Sequence, residues 1–173
     1  MVNVVTLGQK RLERKTFAAM LRIMFLVYIA GQLYCTMFSR VIGSGCVLEL
    51  KPFMSIVRLF TQPIESAGEI TGFFAWFMKG TLPGAGIILN ILLFIPLGYL
   101  LTILVPTWKR RYIVLIGSVC SIATELAQYL LEMGYCETDD VLYNTLGTAI
   151  GVWVWHLQSK RLNKHKTNEL PKD

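Results

Sequence analysis

Four stretches of the chain stay apolar for nearly as long as a bilayer-spanning helix requires, about 20 residues with a range of about 17 to 25. They run from Thr16 to Phe38, Ile87 to Val105, Tyr112 to Leu131 and Val141 to Leu157. Read as helices, they predict an all-α fold, a polytopic membrane bundle of four transmembrane helices. The long connection from Ser39 to Gly86 holds two shorter apolar pieces, Ile56 to Phe60 and Ile70 to Met78. Neither reaches across a bilayer, so an outer interfacial or re-entrant segment is expected between the first and second spans. Pro63, Gly68, Gly72, Gly80, Pro83, Gly84 and Gly86 divide this connection into short elements. Phe73, Phe74, Trp76 and Phe77 suit either headgroup anchoring or packing over helix ends.

The third span breaks its own apolar pattern with Glu125 and Gln128. A carboxylate at mid-span costs about 2.5 to 3.5 kcal/mol on insertion scales, so it is expected to face a partner or a wet cavity. Gly117, Ser121, Thr124, Glu125 and Gln128 recur at offsets that stack them on one helical face, and Asp140, Asn144, Gly147, Thr148 and Gly151 repeat those offsets in the fourth span. The short connection from Glu132 to Asp140 makes the two spans antiparallel neighbours, so Gly147-x-x-x-Gly151 is expected to serve their contact within one chain rather than a dimer. The oligomeric state stays open. At 1.5 Å per residue Glu125 lies about 20 Å from the start of its span and about 9 Å from the far end. Asp140 and Asn144 open the fourth span at that far end and Asn90 opens the second, so five polar groups converge there. Asp139 and Asp140 suit ligand binding or capping of the fourth helix, and Asn90, Gln128 and Asn144 suit a pocket or interhelical hydrogen bonding.

Composition places the chain in the membrane. Of 173 residues, 54% are hydrophobic and only 16% charged, against roughly a quarter charged in soluble domains. The net charge of +6 falls in three clusters beside the apolar runs: Lys10, Arg11, Arg14 and Lys15; Lys109, Arg110 and Arg111; and Lys160, Arg161, Lys164, Lys166 and Lys172. That pattern argues against nucleic acid and, by the positive-inside rule, puts both termini in the cytoplasm. The opposite loop carries Glu132, Glu137, Asp139 and Asp140 without Lys or Arg. Arg40, Lys51, Arg58 and Lys79 in the long outer connection count against this orientation, but they are scattered. Arg22 lies where it can snorkel, and the first span reads as a retained anchor. The resulting organisation is a basic cytoplasmic N-terminus over 1–15, a transmembrane domain over 16–157 and a basic tail over 158–173.

The chemistry is less determined. Cys35, Cys46, Cys120 and Cys136 show no C-x-x-C spacing, although Cys46 and Cys136 share the outer face and can pair if their loops approach. There is no Gly-x-Ser-x-Gly, His-Glu-x-x-His or P-loop, and His156 and His165 lie at the cytoplasmic end, far from the polar cluster. Glu125 with Asp140 suits a hard cation, a proton or acid and base roles, while a headgroup pocket or a protonated core carboxyl uses the same residues without chemistry. No metal or cofactor is assigned.

Asn90-Ile-Leu-Leu-Phe-Ile-Pro96-Leu-Gly98, then Ser121-Ile-Ala-Thr-Glu125-Leu-Ala-Gln128, then Asp139-Asp140-Val-Leu-Tyr-Asn144-Thr-Leu-Gly147 with Gly151, resemble the VanZ-like family in order and spacing. Leu50-Lys-Pro52-Phe53 looks like the family's Asn-Leu-x-Pro-Phe entry, with Glu49 at its asparagine. The resemblance implies a small integral membrane protein of bacteria, chiefly Gram-positive, connected with low-level resistance to the lipoglycopeptide teicoplanin. Gly134 stands near the place where many members carry an arginine. Three functions remain in competition: recognition of a lipid-linked cell-wall precursor or another envelope lipid by Asn90, Glu125, Gln128, Asp139, Asp140 and Asn144; enzymatic modification of such a lipid by Glu125 and Asp140; and proton- or ion-coupled transport, for which four spans without an internal repeat offer little room.

Overall fold

Helices form where the apolar runs are. The computed structural model describes residues 2–38, 41–61 and 85–168. In chain order these give α1 (Val2–Leu33), a π-helical turn (Tyr34–Phe38), β1 (Gly45–Glu49), α2 (Met54–Thr61), α3 (Ala85–Leu104), α4 (Arg110–Leu130), β2 (Met133–Glu137) and α5 (Thr138–Asn168). Among the described residues three segments are long and apolar enough to cross a membrane: Leu12–Met37, Gly86–Leu104 and Arg110–Leu130. The fourth expected span falls within α5, which is not among them. Its Asn144, Thr145, Gly147, Thr148 and Gly151 are small or polar residues used for packing, and they dilute its hydropathy.

α5 packs most extensively on α3, then on α4. Lipid tails are as apolar as leucine, so helices in a bilayer associate through close backbone approach and hydrogen bonds. Three glycines make that approach here: a Cβ on Gly98 would strike the Thr148 carbonyl, one on Gly147 the Ile91 carbonyl and one on Gly151 the Ile95 carbonyl. The Gly147-x-x-x-Gly151 face is therefore intramolecular, as expected, but it meets the second span and not the third. The third span uses Gly117, which accepts the Thr148 side chain. Hydrogen bonds from Asn144 Nδ2 to Ser121 Oγ (2.8 Å) and from Thr145 Oγ1 to Ser118 Oγ (3.0 Å) also join α4 to α5. Phe94, Leu97 and Ile113 fill the core between these helices.

The all-α expectation misses a two-stranded parallel sheet, with Gly45 opposite Met133 and Glu49 opposite Glu137. α1 and α4 end at the same end of the bundle, so the chains leaving them run side by side in one direction. The Gly43 amide donates to the Leu131 carbonyl (3.1 Å) and Ser44 Oγ to the Glu132 carbonyl (3.3 Å), which starts the register. Of the interfacial pieces, Ile56 to Phe60 lies in the short helix α2. The Ile70 to Met78 piece, its aromatic residues and the punctuation from Pro63 to Gly84 lie outside the described residues, so the re-entrant segment is untested.

Candidate functional site

Each strand delivers a helix to the polar end of the bundle. On α4 the buried face is Ile113, Gly117, Ser121, Glu125 and Gln128, close to the face read from spacing. Thr124 turns aside toward α1. Glu125 is 6% exposed, and its Oε2 accepts a hydrogen bond from the Glu137 amide at the end of β2 (3.0 Å). The buried carboxyl thus ties the sheet to α4.

Asp139 is 1% exposed and caps a helix, but not the one it begins. Its Oδ1 accepts from the Phe53 amide and its Oδ2 from the Ser55 amide (2.7 Å), both at the start of α2. These amides lack intrahelical partners, and a carboxylate there also complements the positive end of the helix. Phe53 adopts φ +65°, a left-handed conformation costing a non-glycine residue roughly 1 to 2 kcal/mol, which the clamp offsets. Asn90 Nδ2 donates to Asp140 Oδ1 (2.6 Å), joining the first turns of α3 and α5. Both residues are half-buried, so this pair faces the rim of the site and not its interior.

Of the expected polar groups, Asn90 bonds to Asp140, Glu125 to the Glu137 amide and Asn144 to Ser121, in three separate contacts. Gln128 points elsewhere, donating through Nε2 to the Thr36 carbonyl at the end of α1 (2.8 Å). Asn144 Oδ1, Gln128 Oε1 and the Tyr143 hydroxyl are buried and have no hydrogen-bond partner among the described residues.

Sequence reasoning missed the cation of this site. Arg58 on α2 reaches Glu137 Oε1 (2.6 Å) and Glu49 Oε2 (3.1 Å), and Ser55 Oγ donates to Glu137 Oε2 (3.3 Å). The bond to Glu137 pushes the guanidinium's pKa further up, so it stays charged. The motif-bearing Leu50-Lys-Pro52-Phe53 segment leads directly into α2, and that adjacency was the available signal. Counting Arg58 only as a topological charge hid it. Glu49 and Glu137 thus flank the Arg58 guanidinium, whereas Glu125, Asp139 and Asp140 bond to backbone amides and to Asn90.

Cys46 and Cys136 approach through the sheet but do not pair. Cys46 lies opposite Gly134 and Cys136 opposite Leu48, two residues out of register, and both are free. Diagonal neighbours in a sheet stand about 7 to 8 Å apart, beyond the span of about 4.4 to 6.8 Å that a disulfide bridges. Desolvation and the nearby Glu125 carboxylate push the Cys136 thiol up to about 11, so it is protonated at neutral pH and inert as a nucleophile. At the opposite end of the bundle Arg110 Nη2 contacts His156 Nδ1 (2.6 Å), which keeps the described histidine away from the acids. Among the described residues no group of three or more His, Cys, Asp or Glu is placed to hold a metal ion.

A family model described as VanZ/LLP1 matches residues 17–159, most of the chain. The chain belongs to the VanZ/LLP1 family. The match spans α1 through the apolar part of α5, so the VanZ/LLP1 unit includes the sheet, α2 and every polar contact above. No curated protein and no solved structure matches the chain.

Proposed function

We propose that this VanZ/LLP1 protein is a four-span envelope protein, α5 being the fourth span, with both termini cytoplasmic, in the cell membrane of a bacterium. It recognises the headgroup of a lipid-linked envelope component at the polar end of the bundle and by doing so contributes to teicoplanin resistance. The observation that carries this reading is the half-buried Asn90–Asp140 pair, set beside an acid-rich cluster at the ends of membrane-spanning helices. A headgroup entering from the outer leaflet meets Asp140, Asn90 and the Arg58 cluster while its chains stay in lipid. The half-buried Asp140 carboxylate, with Glu137 nearby in sequence and Glu49 opposite Glu137 in the sheet, suits a headgroup rich in donors, such as an amine or sugar hydroxyls. Glu125 and Asp139 serve by holding β2 and α2 in place, Asn144 lies deeper between α4 and α5, and Gln128 ties α4 to the end of α1.

Reconstitution in nanodiscs with a panel of envelope lipids, including lipid-linked cell-wall precursors, tests this. Retained lipid is read by native mass spectrometry and turnover by chromatography of the extracted lipids. Asn90→Ala and Asp140→Asn should each weaken retention about tenfold, the worth of about 1.4 kcal/mol, and raise teicoplanin susceptibility at unchanged melting temperature. Unaltered retention in well-folded variants overturns the headgroup site. Appearance of a new lipid product would instead make the protein an enzyme, with Glu125→Gln expected to abolish turnover.

A further inference from the structure

A helix on the surface of a protein in water turns its apolar stripe toward the core and its polar face outward. α2 does the reverse. Phe53, just ahead of it, and Ile56, Val57 and Phe60 within it recur at offsets of three, four and seven, which places them in one stripe. All four are exposed, Phe60 at 82%. The opposite face carries Ser55 and Arg58, and both point into the protein: Ser55 Oγ donates to Glu137 Oε2 (3.3 Å), and Arg58 reaches Glu137 Oε1 (2.6 Å) and Glu49 Oε2 (3.1 Å). The Asp139 carboxylate holds the start of the helix through the Phe53 and Ser55 amides. Charged groups thus fix the roll of α2 about its own axis, and that roll presents the apolar stripe to the surroundings. In a membrane this is the expected arrangement, because charges are costly where they meet lipid and turn toward the bundle instead.

The depth of α2 follows from its bonds. At about 1.5 Å per residue the 21 residues of α4 measure about 31 Å, which matches a hydrocarbon core of about 30 Å. β2 folds back along this helix, since the Glu137 amide donates to Glu125 Oε2 (3.0 Å) and Cys136 Sγ to the Glu125 carbonyl (3.3 Å). Glu125 stands one and a half turns before the end of α4 at Leu130, about 7 to 8 Å inside it. Ser55 and Arg58 bond to Glu137, so α2 is held near that level. Helices that lie in a membrane interface bury their apolar face about 5 to 10 Å into the boundary between headgroups and acyl chains. A contiguous exposed apolar stripe marks a protein or a membrane contact, and the depth selects the membrane.

We infer that α2 is an interfacial membrane helix: the stripe of Phe53, Ile56, Val57 and Phe60 inserts between lipids at the headgroup–acyl boundary of the leaflet at the polar end, and the Asp139, Glu137 and Arg58 clamp sets which face meets them. The apolar run from Ile56 to Phe60 alone allows an interfacial or a re-entrant piece; the clamp specifies the face and the depth. The inference requires that the helices span a membrane and does not depend on the headgroup site proposed above.

Two phosphatidylcholines are compared in nanodiscs, one with a diazirine next to the glycerol backbone and one with it at the chain terminus, and tandem mass spectrometry maps the adducts after photolysis. The exposed Val119, in the middle of α4, is the deep reference. The shallow lipid should label Phe53, Ile56, Val57 and Phe60 about fivefold more than the deep one, because chain ends lie about 15 Å down and the stripe about 5 to 10 Å. The ratio should reverse at Val119, and Ser55 and Arg58 should be spared. Asp139→Ala releases the start of α2, so labelling of Ser55 and Arg58 should rise severalfold with Val119 unchanged. Arg58→Gln, which keeps the Asp139 bonds, should raise labelling of Ser55 and serves if the first variant melts early. A stripe that neither lipid labels meets water, another part of the chain or a second copy, and overturns the inference. So does a stripe that the deep lipid labels more strongly, which makes α2 a re-entrant piece, or labelling of Ser55 that neither variant changes. Lipid retention by Asn90→Ala and Asp140→Asn is a separate readout, so the failure of either idea leaves the other standing.

Discussion

The two sides of α3 and α4 are built differently. Toward α5 the backbones nearly touch, with Gly98, Gly117, Gly147 and Gly151 each placed where a Cβ would collide. Toward α1 there is a cavity, and Phe17, Met20, Ile23, Leu26 and Val27 of α1 remain exposed. Among the described residues two long-range hydrogen bonds bridge that looser side: Tyr28 to the Leu93 carbonyl (2.8 Å) and Gln128 to the Thr36 carbonyl (2.8 Å). In a bilayer no hydrophobic drive closes such a gap, so a helix is held only as tightly as its small residues and polar bonds allow. α3, α4 and α5 form a close-packed scaffold for the polar site, and α1 packs more loosely beside it.

One substitution, made on both sides, should act in opposite directions. Gly151→Ala places a methyl against the Ile95 carbonyl and 2.7 Å from the Tyr99 nitrogen. Neither backbone atom can swing away, so α3 and α5 must separate. A loss of about 3 kcal/mol is expected, at the upper end of the cost of overpacking, with a matching fall in melting temperature in detergent. Gly31→Ala on α1 meets nothing within 4 Å. It should stabilise by about 0.5 to 1 kcal/mol, because alanine restores helix propensity without a clash. Destabilisation of similar size at both positions would end the contrast.

A smaller effect is expected at the polar end, where the scaffold meets α2. Asp139→Ala removes two charge-assisted bonds and leaves the Phe53 and Ser55 amides at the mouth of the site without an acceptor. About 2 kcal/mol of local stability should be lost, within the range of about 1.5 to 3 for bonds to charged groups. Hydrogen exchange at residues 53–61 should accelerate while the exchange of α3 and α5 stays unchanged. Uniform acceleration would show that Asp139 supports the whole bundle and not α2.

The residues themselves explain how much of this was readable. Apolar length located the helices, and offsets of four and seven put Ser121, Glu125, Asn144 and Thr148 on facing surfaces, because both signals depend only on local helical geometry. The sheet was hidden because β1 and β2 pair 88 residues apart and neither strand carries a hairpin turn or a strict alternation. Arg58 escaped for a related reason. Its role depends on α2 being clamped by Asp139 from the far side of the sequence, and no spacing rule reports that. The partner of Gly147 and Gly151 was misassigned because adjacency in sequence favours α4, whereas α3 offers Gly98 as a reciprocal small residue facing Thr148.

The smallest expected effect tests the loose side directly. Tyr28→Phe deletes the hydroxyl that donates to the Leu93 carbonyl and keeps the ring. Interhelical hydrogen bonds in membranes average about 0.6 kcal/mol in double-mutant cycles, so stability should fall by about that amount. The sensitive readout is α1, because one of its two long-range tethers is gone. Disulfide trapping between cysteines introduced by Ile29→Cys and Leu97→Cys, both lining the cavity, should slow in the Tyr28→Phe background as the helices spend more time apart. The trapping rate between an α3–α5 pair, Tyr99→Cys with Trp155→Cys, whose ring centroids lie 5.7 Å apart, should not respond, since that side is set by backbone contact and not by a single hydroxyl. If both rates change together, the helices move as one body and the cavity is a fixed notch in it; if only the α1 rate changes, α1 moves independently of the close-packed side.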